Sequence, residues 1–466
     1  MTPRDAICLG LAAVLTGCTV GPNYQRPKID TPPAFRAPDS TQAGSVTEES
    51  LGDAKWWTVF GDPELQKLIR TALDKNYDLR IAAMHVLEAQ SQVAIARADQ
   101  LPTLGGVGLI TGTRTPVISG GFPSFSYTAL EAALSASWNP DFWGKYRRAT
   151  EAARATMAAS EWGRKAVVTS LIASIAAAYF QLRELDLQLE ISRRTLAARQ
   201  DSLKLTKTLA DGGAASLIDF RQAEQLVETA EATIPDLERQ RQQGENLVSV
   251  LLGENPGPVT RGLALADQPF PVEVPAGIPS RLLERRPDIR QTEQQLIAAN
   301  AEIGVARAAF FPDISLTAIA GVESTSLTTL FRGPSRTWTW TGQAAQPIFQ
   351  GGKLKANLRL AQQQQEEAVL LYKQTIQKAF SDVSNALIAY REYREMRLHE
   401  ELLVTAAKSA ADLSRMRYRG GAASYLEVLT NDTNQFAAEL NLAGARLGEK
   451  SAVVQIYSAL GGGWEQ

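Results

Sequence analysis

The sequence predicts a mainly α protein with membrane β-strands, built from two internal repeats that each hold a strand pair and a very long helical hairpin. Three observations carry this. The chain repeats itself at a fixed distance, long stretches of helix formers run without proline, and short segments between them alternate apolar with hydroxylic residues. At 466 residues, with 44% apolar and 21% charged residues, the chain has the make-up of a folded protein. A net charge of -2 and the lack of any Lys/Arg-rich run argue against nucleic acid as a partner.

The repeat is read directly. Asp78-Leu79-Arg80 recurs as Asp288-Ile289-Arg290, Ala96-Arg97-Ala98 as Ala306-Arg307-Ala308, and Leu101-Pro102 as Phe311-Pro312, all 210 positions on. Further along, Arg183-Glu184 recurs as Arg391-Glu392, Gly212-Gly213-Ala214-Ala215-Ser216 as Gly420-Gly421-Ala422-Ala423-Ser424, and Leu252-Gly253 as Leu460-Gly461, now 208 positions on. The slip falls within residues 113–137, which therefore tolerate a length change, as a hairpin loop does. The expected division is a signal segment 1–17, an N-terminal strap 18–61, copy one 62–254, a linker 255–279 and copy two 280–466.

The first element is the signal. Arg4, offset by Asp5, precedes an apolar run from Ile7 to Leu15, and Leu15-Thr16-Gly17-Cys18 resembles a lipobox. Cys8 lies in the removed segment, so Cys18 is the one cysteine of the mature chain, and an idle thiol is a hazard in an oxidising compartment. Cys18 is the expected lipidation site, with no other cofactor. Thr19 follows it in place of the Asp that retains this lipoprotein class at the inner membrane.

Copy one opens at Asp62-Pro63, an N-cap with proline at the first helical position. Leu65, Leu68, Ile69, Ala72 and Leu73 share one face, and the helical pattern runs to about Ala98 before Pro102 stops it. A strand pair at about 103–139 follows. From Lys145 to Leu209 strong helix formers run without proline, a rod of roughly 100 Å at 1.5 Å per residue. Asp211-Gly212-Gly213 breaks it, and Ser216 caps a return helix to about Leu252. Six prolines between Asn255 and Pro279 make a linker.

Copy two repeats this, with strands at about 313–347 and a hairpin at 353–460 broken at Gly420-Gly421. Its strands alternate clearly: Ile314, Leu316, Ala318 and Ala320 against Ser315 and Thr317, then Trp338 and Trp340 against Thr337, Thr339 and Thr341. One apolar and one hydroxylic face is the pattern of a barrel strand between lipid and water, and equally that of a soluble sandwich. Trp338, Trp340, Phe125 and Tyr127 are expected as interfacial aromatics. Gly120-Gly121 and Gly333-Pro334 are expected to turn the strand pairs. Four strands cannot close a barrel, since the smallest have about 8, and open edges are not tolerated in hydrocarbon. The chain must therefore oligomerise, as the long hairpins also require.

Taken with the lipobox and the duplicated hairpins, Trp56-Trp57 ahead of Phe60-Gly61-Asp62, the block Arg285-Arg286-Pro287-Asp288-Ile289 through Ala306-Arg307-Ala308-Ala309-Phe310-Phe311-Pro312, and the ending Gly461-Gly462-Gly463-Trp464 resemble the outer-membrane factors of RND-type efflux systems. This is the NodT/OprM group of the TolC superfamily. The resemblance implies a TolC-like homotrimer with a shared twelve-stranded transmembrane β-barrel in the outer membrane, a long antiparallel α-helical barrel and an equatorial collar. The collar would come from about 30–61, 255–279 and the C-terminal segment. It also implies a periplasmic adaptor and an inner-membrane RND pump as partners, with the chain serving as a passive exit channel gated at its periplasmic tips. In the family a Tyr three residues before a Gly marks the closed tip, here Tyr418 and Gly421, beside Gly420 and, in copy one, Gly212 and Gly213.

An acid past the turn matches Glu427, with Asp219 as its repeat partner. Where many members place a second acid this chain has Thr430, and Asp432 would point roughly 140° away from Glu427 on a helix. Glu427 and Asp219 read either as a carboxylate ring that favours cations or as solvated first-turn acids that complement a helix dipole.

An enzyme is not expected. Only His85 and His399 occur, and the sequence holds no HExxH, Walker A, GxGxxG or GxSxG motif. A periplasmic adaptor would show one hairpin between lipoyl halves, and an envelope spacer would not need hydroxyl-lined strands.

Overall fold

The computed structural model describes residues 19–36, 50–116, 124–269, 275 and 277–465. Cys18 and the expected Gly120-Gly121 turn lie outside them. In chain order the elements are α1 (Pro63–Lys75), α2 (Tyr77–Ala98), β1 (Thr103–Thr115), β2 (Phe125–Trp138), α3 (Lys145–Asp211), α4 (Leu217–Leu252), α5 (Pro279–Arg285), α6 (Pro287–Ala308), β3 (Asp313–Ser324), β4 (Arg336–Ala345), α7 (Lys353–Arg419) and α8 (Tyr425–Ala459). Both long outgoing helices run 67 residues; α4 begins one residue after the expected Ser216, and α8 one residue after its repeat partner Ser424.

The expected single helix to Ala98 is two helices. Asn76 leaves the helical region at φ -57°, ψ 131°, because its side chain has other work. The Oδ1 atom accepts from Leu79 N at 2.9 Å to start α2, while Nδ2 donates to Leu251 O at 2.9 Å near the end of α4. Arg286, 210 positions on, breaks copy two between α5 and α6. Its guanidinium reaches the Ala459 carbonyl at 3.3 Å, at the end of α8, and pairs with Asp288 and Asp382. Each break therefore fastens the C-terminus of its own copy's return helix, whose last carbonyls lack helical partners.

The compact units are not the two copies. One unit comprises the described residues of 19–28, His85–Ser160 and Gln291–Tyr372; the other takes those of Ile29–Met84, Glu161–Arg290 and Lys373–Gln466. In the first, all four strands form one antiparallel sheet in the order β1-β2-β3-β4, so the strand pairs of both copies join through β2 and β3. Stacked rings of Trp143 and Phe311, 4.8 Å apart, pack beneath it.

The second unit has its core around Phe60, Tyr179, Phe180 and Tyr457, all at most 1% exposed. Asp62 is the polar hub of this core. Its carboxylate accepts from Tyr179 Oη at 2.7 Å, Gln268 Nε2 at 2.7 Å, Leu263 N at 3.0 Å and Glu64 N at 2.9 Å. Burial opposes ionisation, yet these bonds hold the Asp62 carboxyl below its usual value. One residue thus caps α1 and pins the linker. An 18-residue window of α3 is apolar enough by composition to cross a membrane, but half of it is buried within the chain, as in a core helix.

Candidate functional site

Two regions hold the residues that the sequence singled out: the tips of the helical hairpins and the strand sheet. At the copy-one tip, Gly213 takes φ +73°, a left-handed conformation that side chains resist, and Ala214 N closes on Leu209 O at 2.8 Å. Ser216 then caps α4, its hydroxyl accepting from Ile218 N at 3.2 Å and Asp219 N at 3.4 Å. The Asp219 carboxylate accepts from Ser216 N at 3.3 Å, completing a capping box. Asp219 is thus bound within its own turn.

The copy-two tip has the same turn and different restraints. Gly421 takes φ +71° and Ala422 N closes on Arg417 O at 2.9 Å. Ser424 makes no side-chain cap bond. Glu427 instead lies 3.1 Å from the Arg417 guanidinium across the turn, and Arg417 also donates to Ala422 O at 3.3 Å.

Tyr418 packs edge-on against Tyr425, with centroids 5.3 Å apart. Tyr425 is 1% exposed and its hydroxyl lies 3.3 Å from Ser202 Oγ. With Ala223, Val428, Leu203 and Leu429 they form a cluster to which α3, α4, α7 and α8 all contribute. Burial, with the charge of Asp219 nearby, pushes the Tyr418 phenol above its usual value.

Asp432 is turned away from Glu427, as expected, and enters a different arrangement. It is 7% exposed and lies 2.6 Å from Arg415, with the buried Arg199 guanidinium set over the Phe436 ring at 5.1 Å. Burial pushes the Asp432 carboxyl up although Arg415 and Arg199 pull it down. Sequence reading missed Tyr425, Arg417, Arg415 and Arg199. Only Tyr425 carried a signal, being a large apolar residue directly behind a helix cap.

The sheet register assigns every strand residue to a face. Ala318 pairs with Trp340, Ala320 with Trp338 and with Leu134, and Leu316 with Trp138, so these share one apolar face. Ser135 pairs with Ile319, Ser137 with Thr317, and Thr317 with Thr341, placing the hydroxyls on the other. Trp338 and Trp340 are 74% and 71% exposed. Phe125 and Tyr127 lie on the opposite face. β2 runs unbroken, so its odd-numbered positions fall with Ser135 and Ser137, and the two rings stack on each other at 6.1 Å on the polar face. The sheet has two unpaired edges among the described residues, β1 and β4.

Comparison with known proteins agrees with this geometry. The profile described as "Outer membrane efflux protein" matches residues 68–254 and 278–462, once per copy. The probable efflux pump outer membrane protein TtgC of Pseudomonas putida is 38% identical over 460 residues, covering 97% of this chain and 94% of that one. The cation efflux system protein CusC of Escherichia coli is 33% identical over 467 residues, covering 100% of both. The open state of the MtrE outer membrane channel of Neisseria gonorrhoeae superposes with a TM-score of 0.85 at 34% identity, over 96% of this chain and 99% of that one.

Proposed function

We propose, from the premise that the chain belongs to the outer membrane efflux protein family, that it is a passive exit channel whose barrel is shared by three copies and whose helical tips form the gate. The family's role is transport across the outer membrane, as its relatives' names and structures state. One observation carries the shared barrel: a four-stranded sheet with one apolar face, one hydroxylic face and two unpaired edges. Such edges are not tolerated in hydrocarbon. Three sheets joined edge to edge give a closed barrel, lipid against Leu, Ala and Trp, water against Ser and Thr. Trp338 and Trp340 then sit on the lipid side as interfacial anchors.

A lipid on Cys18 fits the residues that follow it. Val20 N donates to Trp143 O at 3.1 Å, and Arg148 donates to Val20 O at 3.4 Å and to Asn23 Oδ1 at 2.8 Å. The start of the mature chain is thereby held beside the junction of β2 and α3, where an acyl chain enters the bilayer next to the barrel wall. A periplasmic adaptor and an inner-membrane RND pump complete the assembly; they supply the energy and choose the cargo. No catalytic step falls to this chain.

Planar-bilayer conductance of the solubilised protein, together with its mass by light scattering, tests the reading. The expected result is a trimeric mass and a small conductance that rises in Glu427→Gln and Tyr418→Ala. Cation selectivity that drops in Glu427→Gln assigns that acid to the pore; unchanged selectivity leaves it as the partner of Arg417. A monomer that never conducts, even with both residues changed, rejects the shared barrel.

A further inference from the structure

The linker meets both helical hairpins, and the two contacts carry opposite charge. On copy one, Arg261 of the linker places its guanidinium 3.0 Å from Asp186 of α3 and 2.8 Å from Glu245 of α4, so the chain's own cation fills a pair of carboxylates. Carried forward by the 208-residue repeat, Asp186 becomes Arg394 and Glu245 becomes Val453. There, beside the 3-10 turn Leu265–Asp267, a groove of about 300 Å³ gathers Arg394 and Arg397 of α7 with Arg446 and Lys450 of α8, against only Glu401 and Glu449.

Both carboxylates are already engaged. Arg397 pairs with Glu449 at 2.7 Å and with Glu401 at 3.1 Å, and Arg446 reaches Glu401 at 3.3 Å. The Lys450 ammonium donates to Gln268 O at 3.2 Å. Arg394 is exposed and has no ion pair among the described residues.

Four cations facing two carboxylates in a part-enclosed groove concentrate anions, and guanidinium forks match the planar edge of an oxyanion. We propose that this groove is an oxyanion-binding site, taking a phosphate- or carboxylate-type anion where copy one receives the linker's Arg261. Burial pulls the Lys450 ammonium below its usual value; Glu449 opposes this, while the charges of Arg397 and Arg446 repel it. A bound anion relieves that repulsion.

The test uses the full-length solubilised protein and inorganic phosphate at fixed ionic strength, with chloride as the reference. Calorimetric titration is expected to show saturable phosphate binding that Arg394→Gln weakens about tenfold and that Arg239→Gln, on α4, leaves unchanged. Phosphate should also raise the unfolding temperature of the unmodified chain more than that of Arg394→Gln. Displacement of phosphate by acetate assigns the groove to oxyanions at large, and failure of acetate to compete assigns it to phosphate alone. Phosphate binding no tighter than chloride, or binding untouched by Arg394→Gln, overturns the proposal.

Discussion

The two hairpin tips share the sequence Gly-Gly-Ala-Ala-Ser and the same left-handed glycine, yet they are held in different ways. Copy one closes on itself through the Ser216–Asp219 capping box. Copy two makes no such cap; it is fastened by Arg417–Glu427 across the turn and by Tyr418 and Tyr425 in the cluster below. The repeat partner of Tyr425 is Leu217, which is 68% exposed. The turn is a local matter and came through duplication unchanged. The restraints depend on neighbours, and they diverged. The packing that the proposed gate would release to open therefore centres on the tyrosines of copy two.

The largest test of that contrast replaces the repeat partners Tyr425 and Leu217. Tyr425→Ala empties a buried site and should cost about 3–5 kcal/mol in denaturant unfolding, whereas Leu217→Ala should stay within about 0.5 kcal/mol. Equal losses would mean that the two tips are packed alike.

A second contrast sharpens with pH. Glu184 of α3 is 6% exposed, with Gln188 donating to it, and burial pushes its carboxyl up to about 7; its partner Glu392 is exposed beside Arg391. A value raised on folding means that the protonated form favours the fold. The contribution of Glu184 is therefore complete below the usual value of 4.5 and is lost as pH rises through about 7. Glu184→Gln should remove a stability loss of about 3 kcal/mol across that window. Thermal unfolding of this variant and of the unmodified chain at a series of pH values checks this.

The smallest test concerns the caps. Ser216→Ala should cost about 1 kcal/mol and Ser424→Ala a few tenths at most, because only Ser216 bonds the first turn of its helix. A similar loss from both would show that the copy-two cap forms in solution.

Much of the fold was legible because it is set by residues close in sequence. Asp62-Pro63, Ser216 and the paired glycines mark helix ends by their own chemistry, and the strands of copy two announce their faces by strict alternation. Less was legible at the tips. Tyr418 and Glu427 could be named, but not that Tyr418 packs on Tyr425, which in turn meets Ser202, nor that Glu427 pairs with Arg417, because the facing of these helices had yet to be decided. That Phe125 and Tyr127 take the opposite face from the tryptophans was not legible for a related reason. Copy one alternates loosely, so only the pairing of β2 with β1 and β3 settles which parity meets which face.

By itself, then, the sequence determined the duplication, the long hairpins with their glycine breaks, and the presence of two-faced strands, since each rests on local spacing and backbone preference. Tertiary structure decided that Asn76 and Arg286 interrupt helices to hold the ends of α4 and α8, and that both strand pairs merge into one sheet. It also decided that Asp62 pins the linker, and that the linker brings Arg261 to two carboxylates on one copy while it meets four cations on the other. These features depend on which distant group arrives beside a given side chain, and no local periodicity carries that information.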